Sequence, residues 1–255
     1  MSLFEVFLIL AGLLVGSAID AAADRFAREE PWAGGRSRCG SCERQLKWYE
    51  LVPVVSWLML LGQCRTCRAP IGYAAPLTEI AGALVAAAAV FWAAPGELVF
   101  TVLFGWLLLV LAAIDFRTYL LPDPLNAAVL LLGGLMVTIT RPEAWIWHLS
   151  GAIAGFAMLW LVETFYRRLR GRDGLGRGDA KLLGAVGAWV GAAGLAPVLL
   201  IASLSGITAV LALSAFDSKR LSGQTAIAFG PWIALGGYAV WLVQSQSATP
   251  LWSGY

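Results

Sequence analysis

The sequence predicts an all-α, polytopic membrane helical bundle of about eight spans, joined to a small cysteine-bearing loop domain. Three observations carry that expectation. Of the 255 residues, 59% are hydrophobic and only 13% are charged, against about 25% charged in a soluble globule. Mean hydropathy is +0.75, so too little polar surface remains to solvate a sphere of this mass, and lipid is the expected solvent for most of it. Apolar runs of the roughly 17–25 residues that cross a bilayer recur along the chain, while all four cysteines fall in one hydrophilic stretch. The net charge of +2 gives no ground for a nucleic-acid partner.

The apolar runs are 3–23, 77–94, 98–114, 125–139, 145–166, 182–193, 196–216 and 229–243. The sixth is short, and the fourth and sixth are rich in Gly. No Lys or Arg precedes the first run and basic residues follow it, the reverse of a cleaved signal peptide. A retained helix with its N-terminus outside is therefore expected. The chain is expected to divide into a first membrane helix (1–23), a cytosolic loop domain (24–76) and a second membrane region (77–255).

Charge sets the orientation, because cytoplasmic loops collect Lys and Arg. With 24–76 in the cytosol, the basic residues from Arg25 to Arg68, Arg117, the run from Arg167 to Lys181, and Lys219 with Arg220 all share one side. Only Arg141 of the 18 Lys and Arg residues is left outside. Both termini are then expected outside. The reversed orientation puts nearly every charge on the wrong side.

The cysteines read Cys39-Gly-Ser-Cys42 and Cys64-Arg-Thr-Cys67. Each pair sets two thiolates on one tight knuckle, and two knuckles supply the four soft ligands of a tetrahedral Zn²⁺. No cysteine is left over. The rival reading is two disulfides, which a reducing cytosol disfavours. Four thiolates leave no open position for water, so such a zinc is structural rather than catalytic.

Charged groups against a bilayer are costly and are functional suspects by default. Asp115 ends the third apolar run, and Asp179 opens the sixth within Gly176-Arg177-Gly178-Asp179. The orientation puts both at the cytosolic boundary, where they meet only if the third and sixth segments pack together. Two carboxylates at ~3 Å cannot both ionise and so share one proton. One then takes a proton from water while the other donates to a carbonyl oxygen, which is aspartic proteolysis. The competing reading makes each a helix-end residue, with Asp179 as a cap, and an isolated Gly-x-Gly-Asp does not decide between them.

Other polar residues have plainer readings. Glu29, Glu30, Glu43 and Glu50 either attract a basic peptide or are a solvated loop surface. Glu79 suits the dipole at the start of the second span. Asp20 is expected at a helix end, and Glu163 either faces a polar groove or snorkels. The only histidine, His148, has no partner motif.

Resemblance adds the deciding weight. Gly176-Arg177-Gly178-Asp179, preceded by Asp115 and Leu121-Pro122-Asp123, resembles the type IV prepilin peptidase family of Gly-x-Gly-Asp membrane aspartic proteases. Gly12 to Gly16-Ser17 is similar to the family's first helix. Tyr49-Glu50-Leu51-Val52-Pro53 through Leu58 and Cys64-Arg65-Thr66-Cys67-Arg68-Ala69-Pro70-Ile71 resemble its cysteine loop, and Phe229-Gly230-Pro231 its final helix. The resemblance implies that Asp115 and Asp179 are the catalytic pair, with Asp123 an acidic position outside it. It implies cleavage of the basic leader of type IV prepilins or type II secretion pseudopilins at the cytosolic face of the bacterial inner membrane. It further implies N-methylation of the new terminus with S-adenosylmethionine. Asp20, Ala74-Ala75 and Arg177 stand where the family usually has Asn, Arg-Tyr and Gly. The first two departures lie in or beside the region linked to methylation, so a peptidase whose cysteine loop only braces the fold or binds substrate is the first alternative. A small proton- or cation-coupled transporter is the second. It calls for discontinuous helices and repeated halves, and no repeat is visible in the sequence.

Overall fold

Away from water a chain must satisfy its N–H and C=O groups internally, and helices do so within one segment. The apolar runs accordingly fold as helices in the computed structural model, which describes residues 1–31, 35–171, 176–216 and 228–246. In chain order they are α1 (Leu3–Ala27), α2 (Val55–Met59), α3 (Ala74–Trp92), α4 (Leu98–Thr118), α5 (Asp123–Thr140), α6 (Trp145–Arg170), α7 (Arg177–Phe216) and α8 (Gly230–Gln246). Among the described residues there is no β-strand. Among the described residues, six helices are long and apolar enough to cross a membrane. The sixth and seventh predicted runs form the single helix α7, broken at Gly191 (φ 67°, ψ 177°), and the eighth is α8, of 17 residues. Arg172, Lys219 and Arg220, used in the orientation, and Gly174 and Leu175 before Asp179 lie outside the described residues.

The chain divides into two compact units, Met1–Phe91 and Trp92–Tyr255. In the first, Ser2 and Glu5 form a capping box at the start of α1, satisfying two N–H groups that the helix itself cannot. The helix runs past the expected Ala23 because Ala is the strongest helix former and Asp24 pairs with Arg28 one turn on, at 3.0 Å. Asp20 therefore lies inside α1, not at its end. α1 and α3 touch backbone to backbone: a Cβ on Gly12 would strike the Gly82 carbonyl, one on Gly16 the Thr78 carbonyl, and one on Gly82 the Gly12 carbonyl. Small residues four apart permit this approach, which lets dispersion hold two helices together in lipid. Glu79 lies in the second turn of α3, beyond reach of the expected dipole role. It is buried, and its Oε2 accepts the Val54 N–H at 2.7 Å. Val54 has φ 60°, which is costly for a β-branched residue, and Glu79 fixes it there.

The second unit is organised around α7. α6 lies antiparallel against its first arm at backbone distance. A Cβ on Gly151 or on Gly187 would strike the other's carbonyl, and one on Gly155 would lie 2.6 Å from the Leu183 carbonyl. Each step of four residues along α6 thus matches a step of four back along α7. The break at Gly191 leaves carbonyls of the preceding turn in need of donors, and the protein must supply them. His148 Nδ1 donates to Ala188 O at 3.0 Å and Gln244 Nε2 to Val190 O at 3.1 Å. His148, without a motif in the sequence, thus has a place in the fold.

Between those two carbonyls, Trp189 is fully buried and joins four helices. Its indole stacks on Phe104 of α4 (4.0 Å between centroids), meets Trp241 of α8 edge-on, and donates to Val129 O of α5 at 2.9 Å. Gly133 makes room for it, since a Cβ there would lie 2.7 Å from the indole nitrogen. Just before α4, Arg141 grips buried Glu97 through two bonds of 2.5 and 2.8 Å, and Ser245 donates to the same carboxylate. The expected outside position of Arg141 is thereby occupied by a paired, largely buried guanidinium.

Replacing Gly187 by Ala is expected to cost about 1–3 kcal/mol through forced separation of α6 and α7. Gly134→Ala, where no atom lies within 4 Å of the new Cβ, should be neutral or stabilising by up to about 1 kcal/mol. Thermal unfolding of the purified protein in detergent reads both.

Candidate active site and cysteine centre

The two cysteine pairs fold as copies of one turn. Cys39 N–H donates to Arg44 O and Glu43 N–H to Cys39 O; Cys64 N–H donates to Ala69 O and Arg68 N–H to Cys64 O. Arg38 pairs with Gln45, and Gln63 with Pro70, at matching offsets. Glu43 and Arg68, each one residue past its second cysteine, both take positive φ (55° and 56°). The four thiols are free, and their sulfurs lie within 4.8 Å of one another. Cys39 and Cys67 Sγ are 3.7 Å apart, close to the ~3.8 Å edge of a tetrahedron with 2.3 Å Zn–S bonds.

The electrostatics suit a cation. Backbone N–H groups of Cys67 and Thr66 bring the Cys64 thiol down to about 6, and those of Cys42 and Ser41 lower Cys39. The Ala69 N–H acts the same way on Cys67, but desolvation and the three neighbouring sulfurs outweigh it and push that thiol up to about 11. A bound divalent ion relieves that crowding of negative charge. Arg44 braces the centre: it reaches Cys64 and holds Glu50 through two bonds of 2.9 and 2.6 Å. Glu50 also accepts the Lys47 N–H at 2.9 Å. With the Arg44 guanidinium as first cause, its carboxyl is held near 2. Glu50 is consequently spoken for, whereas Glu29, Glu30 and Glu43 are exposed. Nothing in the sequence distinguished Arg44 from the other loop cations.

The aspartates lie in the second unit. Asp115 is buried in the last turn of α4, which ends when Tyr119 turns left-handed (φ 56°) and donates its N–H to Asp115 O. Helix dipoles disfavour an anion at a C-terminus, so Asp115 is no helix-end cap of α4. Its Oδ2 instead accepts the Gly230 N–H at 3.0 Å, one of the donors that the start of α8 leaves open. Asp179, also buried, lies in the first turn of α7, where an acid suits the dipole. Its N–H bonds Gly176 O at 3.0 Å.

Leu121 brings the two ends together. Cβ atoms on Gly178 and on Gly230 would lie 3.0 and 3.1 Å from its side chain, and one on Gly230 only 2.7 Å from Asp115 Oδ2. Both glycines are held to zero side chain by that packing. Asp179 feels the charge of Asp115. The expected packing of the third and sixth segments is thus partly indirect, with α8 completing it through Gly230. Asp123 is set apart: exposed at the start of α5, it takes Lys181 Nζ on both oxygens at 2.6 and 2.7 Å. The contributions of Leu121 and the Gly230 amide had no signal in the sequence beyond short motifs far apart in the chain.

Residues 10–93 match the model of the bacterial peptidase A24 N-terminal domain, and residues 102–211 that of the type IV leader peptidase family. A protein of Dickeya chrysanthemi named prepilin leader peptidase/N-methyltransferase is 38% identical over 203 residues, covering 79% of this chain and 71% of the relative. One of the same name from Burkholderia pseudomallei is 41% identical over 206 residues, 80% of this chain and 66% of that protein. Another from Stutzerimonas stutzeri is 32% identical over 277 aligned positions, 95% of this chain and 92% of its own length. No solved structure matches the chain. The cysteine turns, the two buried aspartates and these alignments make the chain a member of the type IV leader peptidase family.

Proposed function

We propose that this chain is an inner-membrane aspartic endopeptidase that removes the basic leader from type IV prepilins or type II secretion pseudopilins, with Asp115 and Asp179 as the reacting pair. The observation that carries the reading is the burial of both carboxylates around Leu121 and Gly230. Among the described residues neither belongs to an ion pair, in contrast to Asp123, which Lys181 neutralises. The Gly230 amide gives Asp115 a donor that serves a carboxylate fully. One of the two, ionised, takes a proton from water while the other, protonated, donates to the scissile carbonyl oxygen. The Gly-x-Gly before Asp179 gives the backbone conformations closed to other residues. Charge topology favours cleavage at the cytosolic face, the substrate's apolar helix staying in lipid while its leader reaches the pair.

Cys39, Cys42, Cys64 and Cys67 are proposed to hold one Zn²⁺, which when bound ties the two turns into one rigid module. Methyl transfer from S-adenosylmethionine to the new N-terminus is the second activity we propose. The match across residues 10–93 and the relatives' shared name support it.

Asp115→Asn and Asp179→Asn are each expected to slow cleavage of a purified prepilin by roughly 10²–10⁴-fold. Wild-type turnover in either variant would remove the mechanism. Elemental analysis should find one zinc per chain, and Cys64→Ser should abolish it; no zinc in the intact protein would discard the metal. Incubation with methyl-labelled S-adenosylmethionine and cleaved pilin should label the pilin, and an unlabelled product would leave a peptidase alone.

A further inference from the structure

Glu163 is among the most deeply buried side chains of the molecule, with 2% of its surface exposed, and the reaction proposed above makes no use of it. It continues a single face of α6: Gly151, Gly155, Leu159 and Glu163 are all buried and spaced by four. That face is the one that meets α7. The register set by Gly151 against Gly187 and Gly155 against Leu183 carries Leu159 to the level of Asp179, and Glu163 lies one turn further along α6. A carboxylate withdrawn from water requires cations or donors around it. Arg167, one turn further along α6, approaches to 3.4 Å, and Arg177, the first residue of α7, to 3.9 Å. The open N–H groups at the start of α7 add positive charge on the same side.

Arg177 stands between the two glycines of Gly176-Arg177-Gly178-Asp179. Its two neighbours are glycines, which contribute no side chain to fix the backbone and are the residues with most freedom to lose on folding. Glu163, rigid within α6, is the anchor available to the side chain between them. We propose that Glu163 is a positioning residue, holding Arg177 and through it the glycine turn that sets the carboxylate of Asp179. The inference rests on Asp179 being one of the reacting pair.

Hydrogen–deuterium exchange of the purified protein in detergent tests the ion pair without reference to catalysis. Glu163→Gln and Arg177→Gln should each raise exchange across 176–181 by about tenfold or more while leaving α8 unchanged. Arg168→Gln, an exposed neighbour on the same turn, should change nothing. In prepilin cleavage, Glu163→Gln should lower kcat by about tenfold with KM within about twofold, the signature of a misplaced reacting group. Arg177→Lys should restore most of the rate lost in Arg177→Gln. The double variant Glu163→Gln/Arg177→Gln should be no slower than either single one, since one interaction is lost once. Unchanged exchange in Glu163→Gln, raised exchange with undiminished kcat, or losses that multiply in the double variant would each overturn the proposal. Persistent cleavage by Asp179→Asn would instead overturn the catalytic reading, because the exchange result stands independently of it.

Discussion

The close approach of α6 to α7 is the contact on which the second unit depends. Where Gly151 meets Gly187, no side chain separates the two backbones. In lipid there is little hydrophobic drive to bring apolar helices together, so association relies on such packing. The contact also fixes a register. Once Gly151 lies against Gly187, the height of every residue on the first arm of α7 is set, including Asp179 at its start and Trp189 near its end. A one-residue slip along the pair would turn the glycine face away and put side chains where only hydrogen atoms fit.

The break in α7 at Gly191 lies against the same contact, beside Gly151, and places demands on its neighbours. A helix interrupted within the bundle exposes carbonyls that lipid cannot satisfy. His148 from α6 and Gln244 from α8 supply donors there, and Trp189 between them bonds to α5 and stacks on α4. The break is consequently where four other helices gain polar or aromatic contacts with α7. One discontinuous helix is a feature that the transporter alternative also calls for. No second such break is present among the described residues, and the family relationship attaches to the peptidase reading.

The cysteine module shows a different economy of means. A short chain segment with few buried apolar residues reaches a defined shape by using one turn twice, each stabilised by its own backbone bonds. Arg44 and Glu50 add a buried ion pair beside it, satisfied by the Lys47 amide. That arrangement removes Glu50 from the acids available to a basic peptide, a conclusion out of reach while it was merely one of four carboxylates in a loop.

Composition, apolar run length and charge placement were enough to give a helical membrane protein, because the bilayer imposes those requirements segment by segment. The Cys-x-x-Cys spacing likewise determined each sulfur pair, since its geometry is local to one short turn, while packing of the two turns brought all four sulfurs within 4.8 Å. The aspartates were legible as suspects, through cost of burial and motif, but not as neighbours. Asp115 and Gly230 stand far apart in sequence and share one hydrogen bond, and Leu121 fills the space beside both glycines. Glu79 and His148 were misplaced or left without a role because their partners are backbone groups, the Val54 amide and the Ala188 carbonyl, which carry no sequence signature. Asp115 and Asp179 thus began as residues at the ends of two apolar runs. Only tertiary packing decided that one accepts an amide of α8, while the height of the other is set by the glycine register of α7 against α6.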